Sequence, residues 1–176
     1  MDVPGYALIT GGASGMGRET AKTFAKDGAA GVALLDLNEK LLDEVKAEVE
    51  ALAQTKGFKV VTHVLDVSDD AAVKKVVESV AQAFGRIDYA VNSAGIAFKH
   101  EGGAAFAKTK DWNKILEVNL NGTFFVLREA AQIMLKQDPI KSVIDGRELQ
   151  RGSIVNFASV AGLTGRCSQS IKPQLR

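Results

Sequence analysis

Residues 6–17 read YALITGGASGMG, and the fold turns on how this stretch is read. Four residues of strand character, Tyr6 to Ile9, run into a loop with glycines at 11, 12, 15 and 17. A helix-compatible run follows from Arg18, with Ala21, Phe24 and Ala25 at helical spacing. Strand, glycine-rich turn and helix together can bind an anion. The glycines let the backbone approach a diphosphate, and the helix start offers free N–H groups and the positive end of its dipole. The G-x-G-x-x-G spacing is absent, since position 20 is Thr; what stands is Thr10-Gly11-x-x-x-Gly15-x-Gly17. Taken alone, such a loop also reads as a structural turn, so the rest of the chain has to decide.

The 176 residues suit a single domain, 1–176, and can bury a substantial core. With 22 basic and 21 acidic residues the net charge is +1, which gives no electrostatic ground for binding nucleic acid or an anionic membrane. Met1-Asp2-Val3-Pro4-Gly5 lacks a basic leader and no stretch has the length of a membrane span, so the expectation is a soluble, cytoplasmic protein. Cys167 is the sole cysteine, which excludes an intrachain disulfide, and His63 and His100 lack ligand-like spacing, so no metal site is expected.

Beyond the first helix, Val32 to Asp36 is a nearly all-apolar strand ending in an acid, as strands of helix-covered parallel sheets are. Asn38 is placed to cap the next helix, which carries Leu41, Leu42, Val45, Val49 and Leu52 on one face. Lys59 to Leu65 is the third strand. Ser68 is placed to cap a third helix with Val73, Val76, Val77, Val80 and Phe84 on one face, closed by Gly85. Ile87 to Val91 is the fourth strand, and the loop from Ile96 to Lys110 is read as the most flexible segment. A long helix, apolar around most of its circumference, runs from Thr109 or Asp111 to Met134. A polar connector, Gln137 to Arg151, leads to a fifth strand over residues 153–158. This alternation predicts right-handed βαβ crossovers and an α/β fold with a doubly wound parallel sheet of about five strands. Ligands in such sheets sit at the carboxyl ends of the strands. Those ends carry Thr10 to Gly17, Asp36, Asp66, Asn92 to Gly95 and Ser159.

As a set, TGGASGMG at 10–17, Asp36, DV at 66–67, NSAG at 92–95, VNLNGTF at 118–124 and GSIVNFASVAGL at 152–163 resemble the short-chain dehydrogenase/reductase family. NSAG departs from the usual NNAG. The resemblance implies a Rossmann-type fold with a nicotinamide cofactor held by Gly11, Ser14, Gly15, Met16, Gly17, Asp36, Leu37, Asp66, Val67, Asn92, Ala94 and Gly95. Asp36 lies 19 residues past Gly17, where a carboxylate can accept from both adenosine ribose hydroxyls and repel a 2′-phosphate. Ser14 and Leu37 are not basic, so NAD is expected over NADP; as a solvated acid at a strand end, Asp36 would need no ligand. By resemblance, Asp66 and Val67 flank the adenine, although Asp66 also reads as a helix cap. By resemblance again, Asn119 is the catalytic Asn that anchors a proton-relay water, the alternative being a buried amide satisfied by local backbone, and Ser159 bonds the substrate oxygen. Lys99, His100 and Cys167 read as surface residues.

In the family, a Tyr and, four residues later, a Lys follow the serine. No Y-x-x-x-K exists here: the tyrosines are Tyr6 and Tyr89, and Lys172 is followed by Pro173. The resemblance therefore implies that the C-terminal part of the family fold is missing, with 166–176 an atypical tail, an apolar edge at Ile154 to Phe157 and a greasy face on the 111–134 helix. Three functions remain open. The first is an NAD-dependent oxidoreductase acting on an alcohol or ketone, crippled in this chain. The second is a non-catalytic NAD-binding or interaction module, and the third a non-functional truncated product. The family would imply a homo-oligomer through the 111–134 helix.

Overall fold

Leu8 and Ile9 are adjacent in sequence and both fully buried, because the pleat sends them to opposite faces of a sheet covered on both sides. In the computed structural model, which describes residues 3–101 and 103–160, five strands lie in the order β3-β2-β1-β4-β5 with every pairing parallel. They are β1 (Tyr6–Thr10), β2 (Gly31–Asp36), β3 (Lys59–Val64), β4 (Tyr89–Asn92) and β5 (Ser153–Asn156). The helices are α1 (Gly15–Lys26), α2 (Glu39–Leu52), α3 (Asp70–Phe84), α4 (Thr109–Ile115) and α5 (Thr123–Met134). One face of the sheet packs Ile9, Val32 and Leu34 against Ala21 of α1 and Leu42, Val45 and Val49 of α2. The other packs Leu8, Leu35 and Ala90 against Val73, Val77 and Val80 of α3 and Val126 and Ala130 of α5. Each fully buried Leu, Ile or Val stabilises the fold by roughly 1.5–3 kcal/mol. The chain winds outward from β1 to β3, then crosses to β4 on the other side of β1. The carboxyl ends of β1 and β4 therefore flank the point where the winding reverses, where a crevice opens.

Helix ends follow local chemistry. Asn38 caps α2, its Oδ1 accepting from Leu41 N at 3.1 Å. The expectation for Ser68 is corrected: Asp69 caps α3, accepting from Ala72 N at 3.0 Å. Gly85 ends α3 in the left-handed region (φ +81°), and its N–H donates to Ala81 O at 2.8 Å. No atom lies within 4 Å of a Cβ built there, so Gly85→Ala meets backbone strain alone. It is expected to cost about 1 kcal/mol, read as a lower urea midpoint at unchanged slope.

The long helix expected from 109 to 134 is interrupted. Between α4 and α5, Leu116–Gly122 is π-helical, an extra residue per turn that hydrophobic periodicity does not reveal. Gly122 packs where a Cβ would stand 2.7 Å from Val67 Cγ2, so the helix approaches the β3 end closely. Its apolar circumference is not buried all round: Trp112, Leu120 and Phe124 are exposed, and the Arg128 guanidinium lies 5.5 Å from the Phe124 ring. The loop from Ile96 holds a 3-10 turn, Gly103–Phe106, and the connector after α5 closes on an antiparallel bridge between Lys141 and Glu148. β5 is the outer strand on its side of the described sheet, with Val155 and Phe157 exposed. Asp88, unflagged in the sequence, is buried. Its Oδ2 accepts from Tyr6 N at 2.9 Å and its Oδ1 from Arg86 Nε at 2.8 Å, locking the starts of β1 and β4 together. No helix among the described residues is long and apolar enough to cross a membrane. The expectations for Cys167, Lys172 and the tail at 166–176 lie outside the described residues.

Candidate functional site

Thr10 ends β1 with its hydroxyl turned toward β4, where Oγ1 accepts from Ser93 N and Ala94 N, both at 3.2 Å. That ties the two strand ends across the crevice. Gly11 follows at φ +65°, and a Cβ there would stand 2.9 Å from Ala94 N, so the loop can pass the NSAG turn only as glycine. Gly15 opens α1 at φ +50° with open space where a side chain would be. Gly17 is buried beneath the loop, where a Cβ would fall 2.2 Å from Gly11 O. Ser14 precedes α1 without a capping side-chain bond, and no acid sits in the first turn. The first N–H groups of α1 therefore have neither a capping side chain nor an acid of the first turn to satisfy them, and the positive end of the helix dipole stands with them.

Asp36 closes β2 beside this loop. Its Oδ2 accepts from Ala13 N and its Oδ1 from Asn38 N, each at 3.1 Å. A carboxylate has about four acceptor sites. Two backbone donors fix its orientation and leave the others for a diol. The carboxylate is thus anchored to the glycine loop itself, so the spacing between a diphosphate site and a diol site is built in.

Asp66 follows β3. The Ser68 hydroxyl, 2.6 Å from Oδ1, and then the Ser68 N–H, 2.9 Å away, hold its carboxyl below the usual carboxylate range; burial opposes them and nearby Lys114 adds to them. A lowered folded-state value means that the contribution to stability is present above the unfolded value and is lost as pH falls through the folded one.

One cleft of about 370 Å³ brings these parts together. Its wall includes Gly11, Ser14, Gly15 and Met16, then Asp36 and Leu37, Asp66 and Val67, and Ala94 and Gly95. Gly17 and Asn92 do not line it. Asn92 lies buried behind it, its Nδ2 donating to Asn156 Oδ1 at 2.8 Å and its Oδ1 finding no partner among the described residues. Sequence reasoning missed Leu35, Leu65, Ile96, Lys114 and Val118 on the wall. Lys114 had a readable signal, since it lies one helical turn before Val118, which also lines the cleft. A second groove of about 450 Å³, between α1 and Phe157, shares Met16 but is almost wholly apolar, and so offers little to hold a diphosphate.

Asn119 sits in the π-helical segment and is exposed, so the alternative of a buried amide does not describe it. Both ends of its amide are engaged by one residue of the segment after β4, Oδ1 accepting from Ile96 N at 2.8 Å and Nδ2 donating to Ile96 O at 2.9 Å. Thr123 Oγ1 donates to the Asn119 carbonyl at 2.9 Å. Ser159 is exposed beyond β5 and does not line the cleft. Tyr6 stacks on Phe84 at 4.5 Å and Tyr89 packs on Phe24 at 5.2 Å, so both tyrosines belong to the packing around the sheet. His100 is not without a partner, since its Nε2 lies 3.7 Å from Asp111 Oδ2.

The residues present fit a dinucleotide: a cradle that any Cβ would fill at Gly11 or Gly17, an anchored carboxylate, and apolar walls at Leu35, Leu65 and Val118. The family model described as short chain dehydrogenase matches residues 5–171. The "Short-chain dehydrogenase fogB" of Aspergillus ruber is 39% identical over 162 residues, covering 91% of this chain and 59% of the relative. A solved NAD+-bound xylitol dehydrogenase superposes with a TM-score of 0.78 at 32% identity, covering 92% of this chain and 55% of that one. An alcohol dehydrogenase of the archaeon Thermococcus sibiricus, complexed with 5-hydroxy-NADP, superposes with a TM-score of 0.67 at 27% identity, covering 74% and 53%. The chain thus spans less than two thirds of the length of each of these relatives.

Proposed function

The chain belongs to the short-chain dehydrogenase family of oxidoreductases, and on that premise we propose that its cleft binds NAD(H) in preference to NADP(H) for hydride transfer to or from an alcohol or ketone. The observation that carries the cofactor choice is Asp36. Its carboxylate is fixed by Ala13 N and Asn38 N at the cleft wall, and the neighbouring wall residues Ser14 and Leu37 supply no cation for a 2′-phosphate. In this reading the glycines from 11 to 17 hold the diphosphate, Asp36 the adenosine ribose, and Asp66 and Val67 the purine. Asn92 braces the sheet behind the site, and Ala94 and Gly95 leave room beside the cofactor. When bound, the nicotinamide ring supplies the hydride acceptor or donor. Asn119 holds a water for proton relay, and Ser159 donates to the substrate oxygen.

A second reading has its own support. The tyrosines are Tyr6 and Tyr89, both packed against phenylalanines, so no phenol at the cleft serves as general acid or base. Such a group contributes roughly 10²–10⁴ in rate. These 176 residues are therefore expected to bind cofactor with little turnover, as a nucleotide-binding module would. Melting is followed while NAD+ or NADP+ is titrated: a ligand at about 100 times its Kd adds roughly 2.7 kcal/mol of stability. NAD+ is expected to raise the midpoint at concentrations where NADP+ does not; no shift with either would sink the proposal. Turnover with secondary alcohols or ketones would show that another group replaces the missing phenol.

A further inference from the structure

Among the described residues, Met16 alone lines both the 370 Å³ cleft and the apolar groove between α1 and Phe157. It is the second residue of α1, so it stands where the first N–H groups of that helix lack a capping side chain or an acid. On the groove side the wall is formed with Val3, Phe24 and Phe157, on the cleft side with Gly11, Ser14 and Gly15. A thioether suits this seam, because it is unbranched, apolar and uncharged. Met16 is also 58% exposed, which leaves it open to a small solute. Met134 is 6% exposed within the core, where a Cβ built on Gly152 would stand 2.3 Å from its Sδ. Met1, the third methionine, lies outside the described residues.

Oxidation follows exposure, so a peroxide reaches Met16 before Met134. The thioether sulfur attacks one peroxide oxygen, an S–O bond forms and the O–O bond breaks. Sulfur is oxidised by two electrons, and hydrogen peroxide is reduced to one water, which keeps both protons. The sulfoxide is polar and accepts hydrogen bonds without donating any. Two consequences push the same way. At the start of α1 the new acceptor competes with an anion for the same N–H groups and turns its negative oxygen toward that anion. On the other side, a hydrated sulfoxide no longer belongs against Val3, Phe24 and Phe157.

We propose that Met16 is an oxidation site that couples peroxide to the cleft: its sulfoxide lowers the affinity for NAD+, and bound NAD+ shields the sulfur. The inference rests on the dinucleotide reading of the cleft. The chain is treated with hydrogen peroxide with and without saturating NAD+, the sulfoxides are assigned by peptide mass mapping, and NAD+ binding is measured by calorimetry before and after. Met16 is expected to oxidise at least about tenfold faster than Met134, and at least about fivefold more slowly with NAD+ bound. Its oxidation is expected to weaken NAD+ binding about five- to twentyfold. Met16→Leu keeps Met134 and Cys167 and is compared only with itself: its affinity, whatever the starting value, is expected to stay within about twofold after peroxide. Methionine sulfoxide reductases, one for each epimer, return the sulfoxide to thioether and water while a thiol reductant becomes a disulfide. They are expected to restore the affinity of the oxidised wild-type chain, which unfolding damage would not allow. Oxidation of Met16 no faster than of Met134, an equal loss in Met16→Leu, or a loss the reductases leave in place would overturn the proposal. An untreated chain that binds no NAD+ overturns the cofactor reading, and the coupling with it; equal NAD+ affinity before and after oxidation of Met16 overturns the coupling alone.

Discussion

Gly17→Ala is expected to weaken NAD+ binding by at least about 100-fold, the equivalent of roughly 3 kcal/mol. The new Cβ would fall 2.2 Å from Gly11 O, 2.7 Å from Gly11 C and 3.2 Å from Gly12 N, all backbone atoms that no rotamer change can move aside. Relief requires the loop to lift away from α1. That loop, in the proposed function, is what brings the helix N–H groups to a diphosphate. Overpacking of this kind also costs about 1–3 kcal/mol of stability, so melting of the free chain is measured alongside calorimetry. Gly15→Ala is the comparison, because a Cβ there meets open space and the penalty is confined to its φ of +50°. If Gly17→Ala binds NAD+ as tightly as wild type, the glycine loop is a turn and not a cradle.

The double substitution Asp36→Ser with Leu37→Arg is expected to move the ratio of NAD+ to NADP+ affinity by roughly 10²–10⁴ toward NADP+. Two effects add. Removing the carboxylate takes away charged acceptors for the ribose hydroxyls and the repulsion of a 2′-phosphate, each a charge-assisted contribution. The introduced guanidinium would supply the phosphate with a bidentate donor from a cleft-wall position where Leu37 is exposed. The cost is local, because Asp36 Oδ2 also accepts from Ala13 N and Oδ1 from Asn38 N. Asp36→Asn separates charge from geometry: it keeps one acceptor oxygen and loses the ionised group. Unchanged preference in the double variant would mean that the cofactor's ribose does not lie at Asp36.

Much of the site was readable because it depends on residues close together in sequence. The strand run from Tyr6 to Ile9, the glycines at fixed offsets and the helical run from Arg18 are consecutive, so strand, turn and helix follow from local sterics, although α1 begins three residues earlier than its apolar spacing suggests, at Gly15. Asp36 was legible for a related reason: parallel β1 and β2 pair Thr10 with Leu35, so the acid after Leu35 must come out beside the glycine loop. Ser68 was misread because Asp66, Ser68 and Asp69 are all capable caps, and only the backbone path after β3 selects Asp69. The break in the 109–134 helix was invisible, since a π-turn shifts the apolar stripe by less than the width of that stripe.

Local sequence was enough for the alternation of strands and helices along the chain, the two covered faces of the sheet, the glycine-rich turn between β1 and α1 and the acid at the end of β2. These rest on side-chain period, glycine conformation and parallel register, which act over a few residues or repeat along the chain. Tertiary structure alone decided the clamp of Asn119 on Ile96, 23 residues away, the reach of Lys114 to Ser68, 46 residues away, and the burial of Asp88 against Tyr6, 82 residues away. Each of these joins a polar group to a partner on a different element. Which partner it meets is set by how closely the elements pack: Gly122, for one, lets the π-helical segment settle onto Val67.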